Sequence, residues 1–346
     1  MVSLRNASDS RRGFNYQDVV ALYYFLDNIK EIKELNNEGE DDVDIRYIDG
    51  SLGFLQVKES KNVENTLRAD VFKKALMSLI DDYIRNDNIK FLGIVTNNNY
   101  PLTQKNHSFV QPYSHFEFLD LPQESKKRIK NQLQDILSSN EKYKNITFDK
   151  NKLTITKISY VGSDDRSRLQ SLREVVHDFM GSAGIPEMHY SKLLTNWLFL
   201  FSRNSEYPKQ YISKRKFISY TEMYVMDSPD LDNFFREFDI KVGNKDYIRQ
   251  NYKSGLESAI VDFALVSVIG TDFHSYNLLH SDKNESENLL AFVNTECKKV
   301  CEKFGFTKAE DTDIAKLIIW LIVTKDTFLK NIEGASISNE NSITNY

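Results

Sequence analysis

The chain has 346 residues, which exceeds the length of a typical single hydrophobic core, so we expect two domains. Its formal net charge of −5 argues against a uniformly basic nucleic-acid coat, while 22 Phe and 18 Tyr supply ample core material. Any contact with a polyanion must therefore come from local basic patches or from a partner.

The sequence also limits the compartment of the protein and the class of cofactor that it can bind. The two cysteines, Cys297 and Cys301, lie on one predicted helix and can build neither a disulfide framework nor a four-ligand zinc site. The first residues lack the apolar run of a signal peptide, and the most apolar segment, residues 314–323, is about half of the ~20 residues that cross a membrane. There is no glycine-rich nucleotide-binding loop. We therefore expect a cytoplasmic protein without a membrane segment.

The first predicted element is a helix that follows residues 11–17 and carries Val20, Tyr23 and Tyr24 at helical spacing. Gln17 lies in its first turn, where its amide could be directed toward a site. A polar residue at a helix start is more often a solvated or capping group.

Two short strands are predicted after this helix, at about residues 42–48 and in the segment Leu-Gln-Val-Lys that ends at Lys58. In the first strand, Asp42 and Asp44 alternate with apolar residues, so the acids share one face. In the second, Gln56 and Lys58 share a face. A polar cluster on a half-buried sheet costs stability unless it is solvated, paired or bound to a metal, so this cluster requires an explanation.

The turn between the strands decides whether the polar groups meet. Residues 49–51, Asp-Gly-Ser, favour an antiparallel hairpin. A two-residue turn would put Asp42 out of phase with Gln56 and Lys58, whereas a three-residue loop over 49–51 sets Asp42 opposite Lys58 and Asp44 opposite Gln56. Only the three-residue loop gathers the polar groups on one side.

Helices and strands continue to alternate up to about residue 180. We predict helices over residues 67–85, 124–137 and 166–180, and strands over residues 91–96, 115–119 and 153–160. Residues 181–186, Gly-Ser-Ala-Gly-Ile-Pro, form the best candidate boundary, because small residues and a proline collect there. We therefore place the first domain, of α/β class, at residues 1–184.

Beyond this boundary the apolar residues recur mainly at helical spacing, most strongly at residues 193–201 and 314–322. We predict a mainly α-helical domain over residues 185–332 for partner binding or oligomerisation, and a disordered tail over 333–346. The basic run at 209–216 is interpreted as a flexible connector with a solvated face, with a contact to a nucleic-acid backbone as the alternative.

The hairpin offers the parts that phosphodiester hydrolysis requires. A cation must neutralise charge that develops on phosphorus and must activate a water, and Mg²⁺ suits this because it prefers oxygen ligands and keeps several waters. A nearby ammonium can orient the water or offset the transition-state charge. Asp42, the side-chain oxygen of Gln56, the main-chain carbonyl of Val57 and Lys58 supply these groups.

Three short motifs together suggest a family: Arg-Gly-Phe-Asn-Tyr-Gln at residues 12–17, Asp-Asp-Val at 41–43 and Gln-Val-Lys at 56–58. They resemble the PD-(D/E)XK nuclease superfamily, in the variant where Gln replaces the middle acid. They look like the nuclease domain of anti-phage effectors in CBASS systems and of the nuclease subunit of Lamassu systems. The resemblance covers roughly the first half of the chain and implies a restriction-endonuclease-like mixed sheet flanked by helices.

The resemblance also implies roles for individual residues. Asp42 and Gln56, with the Val57 carbonyl, would hold Mg²⁺ or Mn²⁺, Lys58 would serve catalysis, and Gln17 would be an accessory group on the first helix.

Gln56 is the departure from the usual pattern. As a neutral ligand it weakens metal affinity, and it leaves open whether Asp41 or Asp44 contributes. The alternative interpretation is purely structural, with the acids on a solvated hairpin rim and Lys58 as an exposed strand cation.

The last prediction concerns how the nuclease activity is regulated. The helical region after Gly184 looks short for the ligand sensor of a CBASS effector and is more similar to the C-terminal region of a Lamassu-type nuclease subunit. This implies a double-stranded DNA endonuclease that docks on an SMC-like ATPase with an accessory subunit and forms a homo-oligomer when active. The alternatives are a cyclic-oligonucleotide-activated nuclease and a non-catalytic adaptor of an ATPase complex.

Overall fold

The computed structural model describes residues 4–162, 164–207, 210–226, 229–261 and 263–337. The chain divides into two compact units. The first comprises the chain up to Phe179 together with Leu194–Lys214, and the second comprises Met180–Leu193 and Arg215–Ser336. The chain therefore leaves the first unit and returns to it, and the functional assignment of residues 1–184 and 185–332 stays a prediction.

The first part of the chain alternates between helices and strands. It contains α1 (Leu4–Asp27), β1 (Ile32–Asn37), β2 (Val43–Tyr47), β3 (Leu52–Lys58), α2 (Ala69–Arg85), β4 (Ile89–Thr96) and β5 (Tyr113–Glu117). There follow α3 (Gln123–Ser139), β6 (Leu153–Ile158), α4 (Asp165–Arg168), α5 (Gln170–Ser182), α6 (Tyr190–Ser205) and β7 (Ile212–Ser213).

The strands form one mixed seven-stranded sheet in the order β5-β6-β4-β3-β2-β1-β7, in which β3, β4 and β6 are parallel and the other pairs are antiparallel. On one face, Leu92 and Ile94 of β4 belong to a core shared with α2 and α3. On the other face, Tyr24 of α1 stacks on Phe91 and hydrogen-bonds Thr156 of β6 at 2.9 Å. This confirms the predicted mixed sheet flanked by helices.

Helix α2 is held against the sheet by an apolar stripe. Phe72, Ala75, Leu76, Leu79 and Ile80 are all fully buried, and burial of each large apolar side chain contributes about 1.5–3 kcal/mol. The stripe fixes which face of α2 meets the sheet and thereby aims the polar side chains on that face at the ends of β2 and β3.

Strand β1 is absent from the sequence-based prediction, because its sequence Ile-Lys-Glu-Leu-Asn-Asn is too polar to suggest a buried strand. The two asparagines are nevertheless buried. The Asn37 side chain donates to Asp18 Oδ1 of α1 at 2.6 Å, and its main-chain N–H donates to Asn204 Oδ1 of α6 at 2.9 Å. Partners on α1 and α6 therefore bind the main-chain N–H and the side-chain nitrogen of Asn37.

The hairpin between β2 and β3 has a three-residue connection, but its register is shifted by two residues from the predicted one. Val43 pairs with Leu55, and the Tyr47 N–H donates to the Ser51 carbonyl at 3.0 Å, so the loop is 48–50 rather than 49–51. Gly50 takes a left-handed φ of 81°, which glycine adopts without strain.

The predicted pairings of Asp42 with Lys58 and of Asp44 with Gln56 are therefore wrong. Asp44 pairs with Phe54, and the same register continued by two residues sets Asp42 opposite Gln56. Because side chains alternate with a period of two, an even shift keeps these residues on the same face. The clustering survives although the partners change.

The second part of the chain is helical. It contains α7 (Lys214–Met226), α8 (Leu231–Glu237), α9 (Val242–Val261), α10 (Phe263–Leu279), α11 (Glu285–Phe304) and α12 (Ala309–Ala335). Its core includes Ile314, Leu317 and Ile318 of α12. The predicted helical C-terminal region is confirmed.

Two further predictions concern this part of the chain. Residues 333–335 of the predicted disordered tail belong to α12, and residues 338–346 lie outside the described residues. Nowhere in the described ranges does a helix combine the length and the apolar character that a membrane crossing requires.

Candidate active site

An ion pair lies at the end of the sheet where β3 finishes and β2 starts. Asp42 Oδ2 accepts hydrogen bonds from Lys58 Nζ at 2.8 Å and from the Val57 main-chain N–H at 2.6 Å. The side chains of Lys58 and Asp42 are 23% and 25% exposed. The pair is thus anchored to the sheet and still reachable from solvent.

Local strand geometry explains the anchoring. The last paired residues of β2 and β3 are Val43 and Leu55. The chain that precedes β2 leaves the ladder at this point. The Asp42 carboxylate instead binds the main-chain N–H of Val57, two residues beyond Leu55 on β3. A buried N–H requires an acceptor, so this contact fixes the carboxylate.

Gln17 of α1 fixes the main chain of the same aspartate. Its Nε2 donates to the Asp42 carbonyl at 2.6 Å, and the Glu38 N–H donates to that carbonyl at 3.0 Å. The structure therefore brings Gln17 to the predicted site, where its amide holds the Asp42 backbone.

Glu38 is a second carboxylate at this corner, and the sequence analysis misses it. It is half-buried and has a left-handed φ of 68°. Burial raises the pKa of Glu38, a hydrogen bond from Gln17 lowers it, the Asp42 charge raises it and Lys58 lowers it. The signal in the sequence is the acidic run Glu-Gly-Glu-Asp-Asp, which begins at residue 38.

The amide of Gln56 is turned toward α2. Its Nε2 donates to Asp41 Oδ1 at 2.8 Å and to Ser78 Oγ at 3.4 Å, while Ser78 Oγ donates to the same Asp41 oxygen at 2.5 Å. Gln56 is only 7% exposed. Its amide nitrogen is thus anchored to Asp41 and Ser78.

Asp41 is part of a buried carboxyl pair. Asp82 of α2 is completely buried, hydrogen-bonds Asp41 and accepts from Arg85 at 2.7 Å. Burial, followed by the Asp41 charge, raises the pKa of Asp82, whereas Arg85 lowers it. Burial and the neighbouring Asp41 charge therefore both disfavour the ionised form of Asp82. The sequence gives one signal for this pair, the spacing that puts Ser78 and Asp82 on one helix face.

Asp44 points into the loop that precedes β2. Its two carboxylate oxygens accept the N–H groups of Glu40 at 2.7 Å and Asp41 at 3.1 Å. A Cβ at Gly39 would lie 2.0 Å from Asp44 Oδ2, so only glycine fits there. Burial raises the pKa of Asp44 to about 6, against the two backbone hydrogen bonds, which lower it.

A groove of 880 Å³ extends from Lys58 along the segment that joins β3 to α2. Its charged lining comprises the cations Lys58, Lys61, Arg68 and Arg128 and one acid, Glu59.

The walls of the groove are tied to the sheet and to α3. Asn97 Oδ1 accepts the Ser60 N–H at 2.8 Å, and Arg128 donates to the Leu67 carbonyl at 2.6 Å. Lys61 and Arg68 are exposed, and Arg68 also forms an ion pair with Asp70 at 2.8 Å.

The side chains that could hold a metal at this corner are oxygen donors. The bonds of Asp42 to Val57 and Lys58 both use Oδ2, so Oδ1 is the oxygen left for a cation, with Glu38 nearby. Oxygen donors suit Mg²⁺ or Mn²⁺, which complete their shells with water. Within the described part of the chain, no group of three or more His, Cys, Asp or Glu side chains is arranged to hold a metal.

A mixed sheet between helices, with an acid and a lysine at one corner and a basic groove beside them, defines an α/β nuclease-like protein. Residues 7–187 match the sequence profile of the family described as Cap4, dsDNA endonuclease domain. This match covers more than half of the chain, so the chain belongs to that family. It supports the predicted DNA endonuclease effector of anti-phage defence. Comparison with curated proteins and with solved structures gave no match.

Proposed function

We propose that the chain is a Mg²⁺-dependent (or Mn²⁺-dependent) endonuclease for double-stranded DNA whose PD-(D/E)XK-type site is formed by Asp42, Gln56 and Lys58. The observation that carries this proposal is the contact of Lys58 Nζ with Asp42 Oδ2 at 2.8 Å, at the mouth of the basic groove. A partly exposed salt bridge stabilises a fold by only about 0–1 kcal/mol. Stability is therefore a weak reason for this arrangement, and chemistry is a stronger one.

Each side chain has a role that follows from its contacts. Asp42 and Glu38 would hold the cation, with the Val57 carbonyl and the Gln56 oxygen as further donors. When bound, the cation offsets charge on the phosphoryl group and acidifies a water. Lys58 would orient the attacking water or offset charge on the phosphate. Gln17 keeps the Asp42 backbone in place through its 2.6 Å bond.

The groove would hold the DNA backbone on one side of the scissile phosphate. Lys61 and Arg68 lie along it, and α2 begins at its wall with Ala69, where the helix N-terminus adds a partial positive charge. The chain as a whole carries a net charge of −5, so phosphate affinity must be local.

A plasmid-cleavage assay tests the proposal. The wild-type protein, Lys58→Ala and the control Lys73→Ala would be compared with Mg²⁺ and with EDTA. Lys73 is an exposed lysine of α2 that pairs with Asp135. Cleavage that requires Mg²⁺, is lost in Lys58→Ala and persists in Lys73→Ala supports the site. Equal cleavage by wild type and Lys58→Ala would refute it.

Control of the nuclease is the second part of the proposal. An SMC-like ATPase with an accessory subunit, as in Lamassu systems, would dock on the helical unit, and oligomerisation would accompany activation. Support comes from the helical composition of the described part of that unit and from the acidic net charge, which limits DNA binding by the isolated chain. Activation by a cyclic oligonucleotide, as in CBASS systems, is an equally compatible trigger. The non-catalytic adaptor is the alternative if no condition yields cleavage.

Adding each activator separately distinguishes these triggers. Cleavage and particle mass would be measured for the chain alone, with the products of neighbouring genes, and with cyclic oligonucleotides. Stimulation by ATP together with the gene products supports the ATPase model. Saturable binding and activation by a cyclic oligonucleotide support the other. Full activity of the lone chain would refute both forms of control.

A further inference from the structure

Contacts with Asp41 and Ser78 fix the orientation of the Gln56 amide. Its Nε2 donates to Asp41 Oδ1 at 2.8 Å and approaches Ser78 Oγ at 3.4 Å, and these two acceptors are only 2.5 Å apart. An amide group is planar, so fixing the amide nitrogen on one side directs the carbonyl oxygen of Gln56 toward the other side.

The partner of this amide is a buried acid. Asp41 is 6% exposed and Gln56 is 7% exposed. A carboxylate at position 56 would therefore meet the Asp41 carboxylate in a shielded place, where two like charges at hydrogen-bond distance cannot both stay ionised. An amide avoids this repulsion and donates to Asp41 instead.

Asp41 is itself held in place. Ser78 Oγ donates to Oδ1 at 2.5 Å, and Asp82 hydrogen-bonds the carboxylate from α2. Oδ1 of Asp41 is thus contacted by both Ser78 and Gln56, and the Asp41 side chain is buried. The acid that fixes Gln56 cannot easily turn away.

We infer that Asp41 is a positioning residue that orients the Gln56 oxygen, and that its presence is the reason why position 56 carries an amide instead of an acid. This inference rests on the proposed function, because it assigns a task to the Gln56 oxygen. It accounts for the departure of this chain from the acidic pattern at that position.

A charge exchange across the pair tests the inference. The variants are Gln56→Glu, Asp41→Asn and the double variant Gln56→Glu/Asp41→Asn, with Gln134→Glu on the exposed face of α3 as the matched control. Each is measured for cleavage as a function of Mg²⁺ concentration, and for its thermal unfolding midpoint in EDTA.

Gln56→Glu is expected to lower cleavage ~10–100-fold, the range for groups that orient a metal ligand, and to lower the metal-free midpoint by about 4 °C. Asp41→Asn alone should be mild, because an amide at 41 can still accept from Gln56 with its oxygen. In the double variant the amide at 41 can donate to the new carboxylate, so both quantities should recover, with at least ~10-fold regained in cleavage.

Rescue of the midpoint without rescue of cleavage would reduce Asp41 to a structural role and overturn the inference. A double variant no better than Gln56→Glu in either measurement would overturn it as well. Failure of the proposed function looks different: wild-type protein would cleave nothing with Mg²⁺ under any of the activating conditions named above. The unfolding midpoints would still show whether residues 41 and 56 are coupled.

Discussion

Asp41 and Asp42 are neighbours in sequence, but they lie in two different environments. Asp42 is partly exposed and binds Lys58, which lines the basic groove, whereas Asp41 is buried and shares hydrogen bonds with Gln56, Ser78 and Asp82. At the start of β2 the chain directs the Asp42 side chain toward solvent and the Asp41 side chain into the interior. In the proposed site, the same residue type would thus serve chemistry at position 42 and architecture at position 41.

This contrast shows how a carboxylate acquires its role. Loss of a group that faces solvent removes few contacts within the fold. Loss of a buried group leaves unsatisfied donors, each at a cost of about 1–3 kcal/mol. The accessible side and the buried side should therefore separate cleanly when activity and stability are measured on the same variants.

Asp42→Asn is the substitution with the largest expected effect on activity. It removes the negative charge beside Lys58 but keeps an oxygen for the Val57 N–H, so cleavage should fall by at least ~100-fold while the free energy of unfolding changes by less than about 1 kcal/mol. Plasmid cleavage and urea unfolding measure the two quantities. Asp135→Asn on α3 is the matched control, and an active Asp42→Asn protein would break the contrast.

Asp44→Ala should instead act on stability. The main-chain N–H groups of Glu40 and Asp41 lose their acceptor, and two unsatisfied donors cost about 2–6 kcal/mol together. Urea unfolding at neutral pH tests this, with Asp135→Ala as control. A free energy of unfolding equal to that of wild type would show that Asp44 does not hold the loop.

Asp18→Asn tests how a buried carboxyl group changes the pH dependence of the free energy of unfolding. Burial raises the pKa of Asp18 to about 7, against hydrogen bonds from Asn37 and Ser202, which lower it. Because the folded pKa lies above the unfolded one, the folded state binds the extra proton. The stabilisation is therefore complete below the unfolded value of 3.8 and is lost as the pH rises through about 7.

Asparagine does not titrate, so the Asp18→Asn variant has no such loss. The free energy of unfolding of the variant, relative to that of wild type, should therefore rise by about 2 kcal/mol between pH 5 and pH 8. Urea unfolding at the two pH values measures the difference. Asp135→Asn should run parallel to wild type. A constant difference between Asp18→Asn and wild type would mean that Asp18 is ionised throughout.

The smallest expected effect lies in the groove. Lys61→Ala/Arg68→Ala should weaken binding to double-stranded DNA several-fold at moderate salt and reduce the slope of log K against log salt by about one for each lost phosphate contact. Fluorescence anisotropy in EDTA measures binding without cleavage. Lys127→Ala/Lys130→Ala on α3 is the control with the same charge change, and identical slopes for both variants would argue against the groove as the DNA track.

Part of this structure follows from the sequence alone. The alternation around Val43 and the apolar run of β4 are enough to predict the strands and the flanking helices. The clustering of Asp42, Gln56 and Lys58 is also predictable. It depends only on whether the hairpin register is shifted by an even or an odd number of residues.

What could not be predicted depends on contacts between distant residues. A shift of two residues in the hairpin leaves every face unchanged, so only the turn around Gly50 selects it. Strand β1 is stabilised by Asn204, which lies 167 residues beyond Asn37. Glu38 reaches the site through a left-handed backbone that no motif encodes, and Asp82 meets Asp41 only once α2 has packed.

Strand β7 has a consequence for synthesis of the protein. It pairs with β1 through Ile212 and Ser213, and Phe201 packs on Phe25 of α1, yet the family match ends at residue 187. A fragment cut at that point would leave β1 with unpaired main-chain groups. During translation the same edge stays open until Ser213 has left the ribosome.

An open, unpaired strand edge is a template for association with other chains. We expect nascent chains that stall before this segment to aggregate or to require a chaperone. Fragments of the nuclease unit should become soluble only when they extend through Lys214. For an endonuclease, this late closure would keep incomplete chains from adopting the folded state.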